Sequence, residues 1–161
     1  MFANLTIRIA ALTALSLVSG AGSAATMCSL AIGNVVFGSY DVFSPTSLDT
    51  SATVIVTCSR YGGPQNINVT IAIGPGAHGG ATASRKMKMP GGDLLAYNLF
   101  RDAGRTSVWG QVPGLDAFTQ TLAVPNKSSA QLSVMIFGRI PAGQNVLKGT
   151  YSDNVVLTVM P

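Results

Sequence analysis

The chain has no glutamate and only four lysines, Lys86, Lys88, Lys127 and Lys148, among its 161 residues. Glutamate and lysine ordinarily cover the solvent faces of helices, so their scarcity argues against a helical bundle and favours extended structure. Histidine occurs once, as His78, and cysteine twice, as Cys28 and Cys58. Two sulfurs so far apart, with one remote imidazole, match no zinc spacing, and neither metal nor cofactor is expected. A G-x-S-x-G elbow is lacking. His78 stands in Gly74-Pro75-Gly76-Ala77-His78-Gly79, where so many glycines give a general base no rigid support. That hexapeptide fits G-x-G-x-x-G, but residues 81–89 alternate like a strand and run into Pro90-Gly91-Gly92. The helix N-terminus that a dinucleotide site needs is therefore missing. Six aspartates allow a carboxylate pair in principle. However, Asp49, Asp102, Asp116 and Asp153 border turns, where capping of the backbone explains them. The expectation is a protein that is not an enzyme.

Charge is sparse. The formal net charge is +4, and Arg85-Lys86-Met87-Lys88 is the one dense basic patch. It lacks interleaved aromatics and a repeated basic stripe, so neither a nucleic acid nor a small-molecule substrate is expected as partner. The patch reads as a solvated edge strand whose charges discourage aggregation.

Near the N-terminus Arg8 precedes an apolar run from Ile9 to Val18, followed by the small residues Ser19-Gly20-Ala21-Gly22-Ser23-Ala24-Ala25. This order describes a cleaved export signal over residues 1–25, and the run is too short to span a bilayer. Cleavage there leaves Thr26 and Met27 ahead of Cys28, with no N-terminal arm. Residues 26–161 have the length of one domain. In an oxidising compartment Cys28 and Cys58 are expected to form one structural disulfide.

The remaining sequence reads as short strands separated by turns. A first strand is expected over 30–37. Thr53 to Cys58 sets Val54, Val56 and Cys58 on one face, and Ile67, Val69, Ile71 and Ile73 alternate with Asn68, Thr70 and Ala72. Further strands are expected over 85–89, 94–100, 108–110, 117–122, 131–140 and 151–159. Gly74-Pro75-Gly76, Pro90-Gly91-Gly92, Val112-Pro113-Gly114, Pro125-Asn126 and Pro141-Ala142-Gly143 supply the turns. Residues 94–100 are apolar on both faces except at Asn98, which places them in the middle of a sheet. Trp109 is expected as a core anchor. The pattern indicates an all-β, antiparallel β-sandwich. In the last strand Val155, Leu157 and Val159 form one apolar face, and the strand's partner must come from earlier in the chain or from another molecule.

Phe37-Gly38-Ser39-Tyr40, Val56-Thr57-Cys58, the run from Leu95 to Thr106, Trp109-Gly110, the run from Phe137 to Gln144 and Gly149-Thr150-Tyr151-Ser152-Asp153 together resemble the spore coat protein U domain family. That family includes subunits of archaic, Csu-type chaperone–usher pili. The resemblance spans residues 26–161 and implies an incomplete immunoglobulin-like sandwich, exported to the periplasm and then to the cell surface. Its implied partners are a periplasmic chaperone, an outer-membrane usher and neighbouring pilin subunits. A neighbour's strand would fill a groove lined by Val155, Leu157 and Val159. Tyr97, Asn98, Arg101, Asp102, Trp109, Gly138, Gly149, Tyr151 and Asp153 carry the family motif in a structural role. The leading expectation is a non-catalytic subunit or terminal cap of a surface fibre serving attachment or biofilm. A self-completed secreted or coat protein, and an adhesin using loop 74–80 or Trp109, are the alternatives.

Overall fold

The computed structural model describes the backbone of residues 4–13 and the whole of residues 26–161. Strand β1 (Asn4–Thr13) is followed by β2 (Thr26–Ile32), β3 (Val35–Ser39), β4 (Leu48–Arg60) and β5 (Gln65–Ile73). After a 3-10 turn at Thr82–Ser84 come β6 (Lys86–Lys88), β7 (Leu94–Ala96) and β8 (Asn98–Phe100). The series ends with β9 (Phe118–Val124), β10 (Ser128–Ile140) and β11 (Tyr151–Met160). The all-β expectation is met. One sheet has the order β3-β1-β11-β5-β9, with β6 and β7 attached to β11, and the other the order β2-β4-β10-β8.

The alternating sequences place the core. Val54, Val56 and Cys58 of β4 face Ile67, Val69, Ile71 and Ile73 of β5 across the sandwich, and all seven are buried. Leu132, Val134, Ile136 and Ile140 of β10 join them. Strand β10 pairs with β4 along its full length, from Ser128 opposite Arg60 to Ile140 opposite Leu48. Strands β4, β5 and β10 thus each present a buried face, and packing of the two inner faces stabilises the fold at about 25 cal/mol per Å² of apolar surface removed from water.

The expected strand over 30–37 is two strands. The chain breaks at the exposed pair Gly33-Asn34, so that β2 joins one sheet while β3 joins the other and buries Val35 and Phe37. Residues 94–100 also divide. Strand β7 pairs with β6 and β8 with β10, and Tyr97 is the buried crossing point between the sheets. Strand β8 ends its sheet rather than lying in the middle of it. Both-sided apolarity arises here because the chain changes sheets, so two different surroundings read as two covered faces. Residues 108–110 form no strand, only a bridge between Val108 and Phe100.

Candidate functional site

Strands β3 and β11 do not pair with each other. Each presents a backbone edge to the gap between them, and β1 occupies that gap. It runs parallel to β11 in continuous register, from Leu5 opposite Tyr151 to Thr13 opposite Val159. On its other side it runs antiparallel to β3, from Asn4 opposite Ser39 to Ile7 opposite Val35, with a shift between Leu5 and Thr6. Val35 and Phe37 from β3, and Val155, Leu157 and Val159 from β11, the strands on either side of this gap, are all buried. The three predicted groove residues therefore lie together on one face. The free side of the last strand is filled by residues 4–13 of the same chain, whereas that part of the molecule was expected to act only as an export signal. The rest of the expected signal, residues 1–3 and 14–25 with its small-residue run, lies outside the described residues.

A polar network closes the groove at the start of β11. Asp153 is buried; its Oδ2 accepts a hydrogen bond from the Tyr97 hydroxyl at 2.7 Å, and its Oδ1 accepts from the Ala77 and Asn154 amides at 2.9 Å. Burial, with Asp153 beside it, pushes the Tyr97 hydroxyl pKa far upward, so the phenol remains a donor. Gly76 passes so close to Asp153 that a Cβ would collide with the carboxylate, and its φ of +82° suits glycine.

Beside this network Arg85 is fully buried, which corrects its reading as part of a solvated edge. Nε donates to the Gly74 carbonyl, Nη1 to the Thr82 carbonyl and Asn98 Oδ1, and Nη2 to the Ile73 and Trp109 carbonyls, at 2.7–3.1 Å. All five guanidinium N–H groups are used. Burial lowers its pKa to about 10, which still leaves it charged at neutral pH. Alternation was the available signal: Arg85 and Met87 are buried, while Lys86 and Lys88 between and beyond them are not.

The other motif residues hold local structure. Cys28 and Cys58 form the expected disulfide, with sulfurs 2.06 Å apart, and lie opposite each other on β2 and β4. Trp109 is buried and its Nε1 donates to the Ile71 carbonyl at 2.8 Å, so it anchors the core and is no stacking platform. Asn98 accepts from Arg85 and the Leu99 amide and donates to the Ala83 carbonyl. Arg101 donates to the Ala117 carbonyl, and Asp102 accepts from the Thr106 and Ser107 amides, as a turn-capping aspartate should. Asp116 likewise accepts from the Val112 amide. Asp49, expected to cap a turn, instead lies in β4 and pairs with Arg139 at 2.8 Å and Arg105 at 3.3 Å. The Tyr151 hydroxyl sits 2.7 Å from Asp93 Oδ2 and 2.8 Å from the Leu147 carbonyl, and burial followed by the Asp93 bond raises its pKa to about 12. Gly138 leaves room for the Phe37 ring, whose nearest carbon would be 2.6 Å from an added Cβ, and Gly149 leaves room for Met89. His78 is exposed in its loop.

The sequence that builds this two-sheet sandwich matches a known family. The spore coat protein U domain model matches residues 12–158. This chain belongs to the spore coat protein U domain family. It is 30% identical over 163 aligned positions to Protein U of Myxococcus xanthus, covering 91% of this chain and 76% of that protein. The spore coat protein U domain family is a family of structural surface and coat domains and is not known as an enzymatic one. Within this member, no helix among the described residues is long and apolar enough to cross a membrane.

Proposed function

We propose that the protein is an exported, non-catalytic structural subunit of a surface fibre of the archaic chaperone–usher type, with residues 1–25 as its signal and 26–161 as the working domain. The groove between β3 and β11 would receive an apolar strand from a partner: first a periplasmic chaperone, then a neighbouring subunit at the outer-membrane usher. The observation that carries this reading is the register of β1. Continuous pairing from Leu5–Tyr151 to Thr13–Val159 indicates a gap built to the length of an extended strand. Its ladder is completed by main-chain bonds and its specificity set by alternate apolar positions. Attachment to surfaces or within a biofilm is the role such a fibre would serve.

The test is to purify the exported protein, determine its N-terminus, and titrate it with a peptide spanning residues 4–13. An N-terminus near Thr26 and a melting temperature that rises with peptide concentration are expected, because a ligand that binds only the folded chain stabilises it by mass action. A chain beginning near Thr26 whose melting temperature does not respond to the peptide overturns the reading. A second reading is favoured by β1 itself: if residues 1–25 stay attached in the exported protein, the chain completes its own sheet and acts as a self-contained coat protein. The exported protein's mass separates the two.

A further inference from the structure

We propose that the outer edge of β9 joins two copies of this chain side by side, as antiparallel strands across a two-fold axis. Strand β9 ends its sheet, and its outer backbone edge has no partner among the described residues. Such an edge is a template for another strand, and proteins normally blunt it with charge, proline, a bulge or very short length. From Phe118 to Val124 the sequence Phe-Thr-Gln-Thr-Leu-Ala-Val has no charge and no proline, and its pairing to β5 is regular from Phe118–Ile71 to Val124–Gln65. Thr119, Gln120, Thr121 and Ala123 are exposed. The other edges differ. Strands β3, β7 and β8 are shorter, β6 carries Lys86 and Lys88, and β2 follows residues 14–25, which lie outside the described part.

Self-pairing is favoured over a foreign strand by the charges at the two ends. Centring the ladder on Thr121 sets Thr119 opposite Ala123 and Gln120 opposite Leu122 of the second copy, with no like charges meeting. The same register brings the turn containing Lys127 toward the turn containing Leu115 and Asp116 of the second copy. A two-fold repeats that approach at both ends, each Lys127 nearing a half-exposed Asp116 whose Oδ1 also caps the Val112 amide of its own chain. Leu115 is 72% exposed and supplies apolar surface there. The shared strip is about 24 Å long and about 10 Å deep, giving roughly 500 Å² in all, less than half of the ~1,200 Å² of a stable complex. Pairing is therefore weak between free molecules and is populated where copies are held at high local concentration, as within a fibre or coat.

Because the two native cysteines are bonded to each other, one introduced cysteine is the sole free thiol. Thr121→Cys, Thr119→Cys and Ala123→Cys are made in the full chain, and each is oxidised mildly at high protein concentration. Thr121→Cys is expected to give a disulfide-linked dimer. The other two give none alone but cross-link when mixed, since only that mixture sets the thiols opposite each other. Absence of a Thr121→Cys dimer, equal dimer from all three single variants, or no cross-link in the mixture overturns the proposal. Circular dichroism matching the parent confirms that each variant is folded.

Discussion

Replacing Arg85 by lysine keeps the charge and removes the fork, and the loss follows from the bonds. Five N–H groups reach five acceptors on β5, the Gly74 that follows it, the 3-10 turn, β8 and the Trp109 segment, whereas an ammonium has three protons at one point. Even if lysine satisfied three acceptors, at least two would be stranded. The Nη2 acceptors, the Ile73 and Trp109 carbonyls, are the most deeply buried of the set. At about 1.5–3 kcal/mol for each hydrogen bond to a charged group, the cost is about 3–6 kcal/mol. With a urea m-value of about 1.5 kcal/mol/M, the lower figure moves the unfolding midpoint down by about 2 M. Equilibrium urea unfolding of the full chain, followed by tryptophan fluorescence, measures it directly, since Trp109 is the one tryptophan and its carbonyl is one of the acceptors. Asn98→Ala supplies a cross-check: it removes the Nη1 partner, so its effect should overlap with that of Arg85→Lys by about 0.5–3 kcal/mol instead of adding. A midpoint shift below about 0.5 M, together with strict additivity, refutes the view that the guanidinium's geometry holds the sheets together.

Two further outcomes are expected. Joint replacement of Cys28 and Cys58 by serine opens a loop of sequence separation 30 and should lower stability by about 3–4 kcal/mol on the chain-entropy model, read from urea midpoints; a change below about 1 kcal/mol would contradict a structural disulfide. In alkaline titration the raised Tyr151 pKa of about 12 means that the unfolded chain ionises first. The corresponding stability is present below pH ~10 and is lost between there and pH ~12; Tyr151→Phe should make the decline of thermal midpoint across that window shallower, and an unchanged slope would contradict the linkage.

Strands with one buried and one wet face were legible from sequence because their period is imposed by the sandwich itself. Val54-Val56-Cys58, Ile67 to Ile73 and Val155-Leu157-Val159 all face the core as their alternation implies. Misreadings fell where the environment changes within a few residues. Leu30 to Phe37 hides a change of sheet in the single step Gly33-Asn34, and Leu94 to Phe100 hides another at Tyr97. Local patterning cannot register that kind of change, since each half alternates correctly by itself. Arg85 was misread because charge was taken as a sign of exposure, although a guanidinium can be buried when carbonyls surround it. The occupant of the groove escaped for a different reason. An export signal needs a cation ahead of an apolar run, and a groove-filling strand needs apolar residues at alternate positions; residues 4–13 offer both, since Leu5, Ile7 and Ile9 alternate with Thr6 and Arg8, so the signal reading hid the strand.

The polar network also bears on how a groove of this kind keeps its shape. Val155, Leu157 and Val159 would by themselves favour collapse of β11 onto the opposite sheet when no strand lies beside it, because apolar burial is non-directional. Hydrogen bonds are directional, and those of Asp153 are met only while β11 stays in register with the Gly74–Ala77 loop and with Tyr97. Burial raises what those bonds contribute, since a stranded buried carboxylate is costly. At the other side of the sandwich the disulfide fixes β2 to β4. Tyr97 and Asp153, both residues of the family motif, therefore hold β11 in place against the Gly74–Ala77 loop and the crossing between the two sheets.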